Sequence, residues 1–138
     1  MSTRTKHRRT RRISLASVAE TMPLLKAAAA RMGEGSALVA LLDRHRRLIE
    51  LIPVEATDEE LPELARILAV APDPVRAVVV ATPRVQRVPA DKPDDESRWE
   101  EMQAAFADSP VTLLDWFVLC GGRWAWSVAE FASTPAQW

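Results

Sequence analysis

Apolar residues fall along this chain in two rhythms. The first is the short apolar run, continuous in Ala37-Leu38-Val39-Ala40-Leu41-Leu42 and in Ala77-Val78-Val79-Val80-Ala81, and interrupted by Thr112 and Asp115 between 111 and 119. The run at 37–42 predicts a strand covered on both faces, and 76–81 and 111–119 read as further strands. The second rhythm is the helical stripe. Leu24, Leu25, Ala28 and Met32 predict a helix over 17–32, opened by a Ser17/Glu20 capping box and stopped at Gly33. Thr57-Asp58-Glu59-Glu60 opens a second helix with another capping box, in which Pro62 is tolerated because it falls close to the first turn. That helix ends near Val70, before Pro72 and Pro74. A third spans 95–106, with acids at its start where the dipole favours them, and Asp108-Ser109-Pro110 breaks it.

Between these segments, Asp43-Arg44-His45-Arg46 reads as a turn and 48–54 as a returning strand. Residues 82–93 hold three prolines and no hydrophobic period, so they read as a loop. Gly121-Gly122 turns the chain into a last strand over 123–128, and Ala129 onward reads as a ragged end. The predicted order is α-β-β-α-β-α-β-β, an α/β chain of the α+β kind with a mixed sheet and flanking helices.

Composition adds boundaries to this picture. With 138 residues, 48% hydrophobic and 27% charged, the chain is large enough for a real core. No apolar run approaches the roughly 18 residues of a membrane span, and export through a twin-arginine signal is disfavoured by Glu20 and Lys26 in the segment that follows. The expected location is cytoplasmic. A lone Cys120 permits no internal disulfide, and its apolar strand makes it a core residue rather than a nucleophile.

The net charge of −1 conceals an asymmetry. Arg4, Lys6, Arg8, Arg9, Arg11 and Arg12 form a basic arm without an acid, while the rest of the chain has 12 basic and 19 acidic residues. Residues 1–13 are therefore expected to be a disordered basic tail, 14–131 the folded domain and 132–138 an extension. Such an arm can meet nucleic-acid phosphates or an acidic partner, or it can serve as a solubilising tail closing over the acidic body.

Several motifs together resemble the JAB/MPN domain of bacterial RadC-like proteins. Leu41-Leu42-Asp43-Arg44-His45-Arg46-Arg47-Leu48-Ile49 is similar to the family's early hairpin. Arg76-Ala77-Val78-Val79-Val80 stands where the family's strand leads into a His-x-His-Pro pair. Lys92-Pro93-Asp94-Asp95-Glu96-Ser97 resembles its Pro-Ser-x-x-Asp step, and Leu113-Leu114-Asp115-Trp116-Phe117-Val118 its Leu-Asp-His-Ile-Val strand. Gly121-Gly122-Arg123-Trp124-Ala125-Trp126-Ser127 is similar to the closing hairpin. The resemblance covers roughly residues 17–131. It implies a three-layer, cytidine-deaminase-like architecture and a zinc hydrolase ancestry.

Zinc hydrolysis of that kind needs two imidazoles and an aspartate around an ion that activates water. Only His7 and His45 exist in the chain. By the resemblance, Ala81-Thr82-Pro83-Arg84 replaces the paired histidines, Ser97 stands at the metal-binding Asp, Asp94 at the family's Ser, and Trp116 at the late histidine. No catalytic residue, metal or cofactor is therefore assigned. The remnant cleft of Thr82, Arg84, Asp94, Ser97, Asp115 and Trp116 is expected to recognise rather than cleave, with a protein partner or a homodimer. A second reading is a nucleic-acid-associated, DNA-repair-related factor using the arm. A third is a hydrolase with a rebuilt site, for which Asp91, Asp94, Asp95 and Glu96 offer an acidic knot that otherwise simply caps a helix. Trp124 and Trp126 lie on one strand face, at least one of them core, the alternative being a recognition patch. Trp138 is expected to be either loose or a contact to a neighbouring subunit.

Overall fold

Strands that are apolar on both faces need cover on both, and helices provide it. The computed structural model describes residues 17–84, 92–120, 124–130, 132 and 134–138. Its elements are α1 (Val18–Ala29), β1 (Ser36–Leu42), β2 (Leu48–Glu55), a 3-10 turn (Asp58–Glu60), α2 (Leu61–Leu68), β3 (Ala77–Arg84), α3 (Lys92–Ala105), β4 (Thr112–Cys120), β5 (Trp124–Ser127) and a closing 3-10 turn (Val128–Glu130). The strands form one five-stranded sheet in the order β2-β1-β3-β4-β5. Only β3 and β4 run parallel, joined by the crossover through α3, and every other pair is antiparallel. The class is the expected mixed sheet with flanking helices.

Alternation along the strands sorts the core into two halves. Leu38, Ala40, Ala77, Val79, Leu114 and Phe117 pack with Leu25 and Ala29 of α1. Val39, Val78, Val80, Leu113, Trp116 and Val118 pack with Leu61 and Ala65 of α2 and with Trp99 and Met102 of α3. Burying side chains of this size stabilises by roughly 1.5–3 kcal/mol each before entropy is counted. Among the described residues no helix is long and apolar enough to cross a membrane.

Details depart from the sequence reading where local chemistry overrides the pattern. The buried line of α1 is Thr21, Leu25 and Ala29, four residues apart, rather than the Leu24/Ala28 side, which is half-covered. Ser17 caps that helix as expected, but α1 stops at Ala29, and the left-handed turn falls at Gly35 (φ 85°), not Gly33. The Thr57 capping box opens a 3-10 turn that continues as α2, with Pro62 in the first helical turn. α3 begins at Lys92, three residues earlier than expected.

Two departures bear on function. β3 does not end at Ala81 but runs on through Thr82, Pro83 and Arg84, paired to β4. Its pairing to β1 stops at Ala81, so Pro83, which has no N–H, occupies an edge position. A register shift between Val78 and Val79 also makes Leu114 an extra residue in β4. Among the described residues, 134–138 are not a ragged end. The Gln137 N–H donates to the Leu114 carbonyl (2.8 Å), the Trp99 indole donates to the Thr134 carbonyl (2.8 Å), and Trp138 packs near Phe117 with ring centroids 6.3 Å apart. Residues 134–138 thus act as a strap on β4, at a stretch where β5 does not pair.

Candidate functional site

Extension of β3 carries Arg84 beyond its pairing with β1 and onto the α2/α3 side. There its guanidinium makes a two-pronged contact with Asp95 in the first turn of α3: Nη1 to Oδ2 at 2.8 Å and Nη2 to Oδ1 at 2.6 Å. Asp58, which opens the 3-10 turn, takes Nε at 3.1 Å and Nη2 at 2.8 Å through Oδ2. Arg98 adds a longer contact to Asp95 Oδ1 at 3.5 Å. The Arg84 side chain is 11% exposed and that of Asp95 only 2%. Beneath them, Arg84 Cζ lies 5.9 Å from the ring centroid of Trp116, and the Trp116 indole donates to Thr82 Oγ1 at 2.9 Å.

Burial alone would lower the pKa of Arg84, but the hydrogen bonds and charges of Asp95 and Asp58 outweigh it and raise the pKa above its ordinary value. All three guanidinium nitrogens are committed. The cluster therefore locks together the end of β3 and the starts of α2 and α3, and it leaves no open fork for an incoming anion.

The expected cleft is only partly assembled. Thr82, Arg84 and Trp116 come together on the α2/α3 side. Asp94 and Ser97 lie on exposed positions of α3, and it is Asp95, one residue on, that turns inward. Asp115 lies on the opposite face of the sheet. The extra residue at Leu114 resets the alternation, so that Asp115 sits beside Val79 on the α1 side while Trp116 stays beside Val80. The arm residues Arg4, Lys6, Arg8, Arg9, Arg11 and Arg12 lie outside the described residues, as does Asp91 of the acidic knot and the Gly121-Gly122 turn.

Asp115 makes a second buried polar centre. Its Oδ1 accepts from Ser127 Oγ at 2.6 Å and from the Trp116 backbone N–H at 2.9 Å, and its Oδ2 accepts from the Trp138 indole at 2.9 Å. The residue is 1% exposed. Desolvation pushes its pKa up, and the hydrogen bonds from Ser127, Trp138 and Trp116 only partly oppose that. Trp138 thus contacts its own chain, not a solvent-loose position. Trp126 packs half-buried against the α2/α3 core, and Cys120 is core, as its strand predicted.

Neither centre holds a transition-metal site. His45 lies in the exposed β1–β2 turn, where Arg44 Nε donates to its Nε2 at 3.3 Å. Among the described residues no group of three or more His, Cys, Asp or Glu side chains could hold a metal ion. Sequence reasoning missed Asp58, Asp95, Ser127 and Trp138 as partners of the polar centres. Asp95 was recognisable only as one of several acids in a run. No family model matches the chain, and no curated protein matches it.

Proposed function

We propose that this domain is a catalytically inactive relative of the RadC-like JAB/MPN hydrolases, working as a protein-binding or scaffolding module in a protein complex or homodimer. The observation that carries this reading is the chemistry at the end of β3. Where that family places paired imidazoles, this chain has Thr82-Pro83-Arg84, and the cation of Arg84 is held by Asp95 and Asp58. A guanidinium in that position repels a divalent ion and offers no lone pair to it. Recognition then falls to the exposed rim of the same region, Asp94 and Ser97.

Two measurements test it. Purified chain dialysed against zinc should retain far less than one ion per chain by elemental analysis, and stoichiometric zinc would end the reading. Partners captured from the native cell should be lost or weakened with Asp94→Ala and Ser97→Ala, which remove exposed groups without disturbing the core. Capture that is indifferent to both would count against this rim as the recognition surface.

The charge of the arm supports a second reading, a nucleic-acid-associated factor. Six basic residues without an acid would bind mixed-sequence DNA with affinity falling steeply as salt rises. Replacing Arg8, Arg9, Arg11 and Arg12 by Ala should reduce the salt slope by several units, whereas an unchanged slope would remove the arm from that role.

A further inference from the structure

The negative charge of the folded part is not spread evenly. Residues 57–110, which supply α2, α3 and the approaches to β3 and β4, carry twelve acidic and six basic residues, whereas 17–56 carry five of each. The basic side chains described in that acidic segment are already spent on acids. Arg66 pairs with Glu63 (3.0 Å), Arg76 with Asp73 (2.8 Å), Arg84 with Asp58 and Asp95, and Arg98 with Asp95. Glu101 and Asp108 are exposed and make no ion pair among the described residues.

α2 and α3 run parallel, because they lead into the parallel strands β3 and β4. Both therefore bring C-terminal ends, with their partial negative charge, to the same end of the layer. Between those ends lies an apolar groove of about 370 Å³, lined by Ala69, Val70, Ala71, Ala105 and Pro110, with Asp108 on its wall. Ser109 fixes its shape. The Ser109 hydroxyl donates to the Ala69 carbonyl and accepts from the Val111 N–H (2.9 Å), tying the loop after α3 to the end of α2. Val70 is 80% exposed and Ile67, one turn earlier, 63%; these are the large exposed hydrophobics among the described residues. A preformed groove beside a solvated apolar pair gains from being covered.

The chemistry around the groove selects its occupant. A second copy of this face would bring its own acid surplus against Glu101 and Asp108, which like-charge repulsion disfavours. Walls made of two helix ends offer no sheet edge to an added strand. A helix with an apolar ridge at i, i+3, i+4 spacing meets both walls. Basic side chains beside that ridge would face Asp108, Glu101 and the negative ends of α2 and α3.

We propose that the groove between the C-terminal ends of α2 and α3 is the docking site for a basic amphipathic helix of a protein partner. Leucine-sized side chains of that helix enter the groove and cover Val70 and Ile67, and its Lys or Arg residues meet Asp108 and Glu101. The proposal rests on the reading of the domain as a protein-binding module. It adds a surface at the opposite end of α3 from Asp94 and Ser97.

A synthetic amphipathic helix of leucine and lysine, labelled and titrated with the full chain in an anisotropy assay, tests this. The parent should bind it saturably. Val70→Asp should weaken binding roughly tenfold, the worth of one buried apolar side chain. That substitution adds negative charge, so general attraction to an acidic body would strengthen binding instead. Ala104→Trp fills the groove from an exposed position without changing charge, and it should act in the same direction. Asp108→Lys should weaken binding roughly fivefold, while Glu55→Lys, the same charge change on β2, should alter it less than about twofold. Equal effects of the two lysine substitutions, or indifference to Val70→Asp and Ala104→Trp, would overturn the proposal. Failure of the parent to bind, as a groove filled by a segment of its own chain would give, would overturn it too. So would a dimer of the chain alone that Val70→Asp dissociates, which would assign the groove to a second copy. Each of these removes the groove and leaves the module reading to the zinc and rim measurements.

Discussion

The two faces of the sheet bury a carboxylate in opposite ways. On the α2/α3 side Asp95 is neutralised by Arg84, itself shared with Asp58 and stacked near Trp116. On the α1 side Asp115 meets only neutral donors, Ser127, Trp138 and a backbone N–H. The first arrangement keeps charge inside the fold by pairing it, and it joins three elements that are distant in sequence. The second tolerates a charge poorly and holds its acid toward the protonated state. A buried acid thus says little about function until its partners are known. The paired one ties the end of β3 to the starts of α2 and α3, and the unpaired one anchors a strap.

Breaking the paired centre should have the largest effect. Arg84→Met keeps the bulk of the side chain over Trp116 but leaves Asp95 buried without its fork. Loss of one partner from such a pair costs about 3–5 kcal/mol. Urea unfolding should show that loss, and Arg84→Lys, which keeps the charge without the fork, should recover part of it. If Arg84→Met unfolds within 1 kcal/mol of the parent, roughly the worth of an exposed pair, the cluster is not the lock described above.

Why this centre was only half legible in the sequence follows from geometry at single-residue scale. The runs that became β1, β3 and β4 were plain, because unbroken apolar stretches of that length have few alternatives to a buried strand. The residues at the site were not. On a helix, moving from Asp94 to Asp95 rotates the side chain by about 100°, enough to exchange solvent for the core. In β4 strict alternation from Leu113 would have put Asp115 on the side of Arg84, and the extra residue at Leu114 sent it to the other side. Pro83 disguised the last three residues of β3 as loop, since its lack of an N–H is disqualifying only in an interior position. The strap was invisible for another reason. Its contacts to Leu114, Asp115 and Phe117 depend on chain separations of about twenty residues and on no local pattern.

The neutral-donor centre should yield next. Trp138→Phe keeps ring packing near Phe117 but removes the donor to Asp115 Oδ2. An unsatisfied buried acceptor costs about 1–3 kcal/mol. Because the lost partner belonged to the charged form, the deficit should be larger at neutral pH than in acid. A deficit independent of pH would assign Trp138 to packing alone.

Asp115→Asn sharpens the same contrast through pH. The folded pKa of Asp115 is raised, so its contribution to stability is fully present below the unfolded value of 3.8 and is lost as pH rises through the folded value. Denaturation midpoints of the parent should therefore carry a term that declines with pH above 3.8, and Asp115→Asn should remove that term. Identical slopes in parent and variant would mean that the carboxylate is solvated in the folded protein.

The smallest effect, and opposite in sign, belongs to Asp43 in the β1–β2 turn. Its Oδ1 accepts from the backbone N–H groups of His45 (2.8 Å) and Arg47 (3.0 Å), and Arg47 Nε lies 3.5 Å from Oδ2. Burial by itself would raise its pKa, but the two backbone donors and the neighbouring cation lower it. Its stabilisation is accordingly present above the unfolded value of 3.8 and is lost as pH falls through the lower folded value. Asp43→Asn keeps an acceptor oxygen for the turn and removes only the charge, so the cost at neutral pH should be about 0.5–1 kcal/mol. Combined with Asp115→Asn it separates the two limbs of the pH profile. Asp43→Asn should flatten the limb below 3.8 and leave the one above it, while Asp115→Asn does the reverse. A single substitution that flattened both limbs would show that the two acids titrate as one system, and the contrast between a paired and an unpaired interior charge would have to be redrawn.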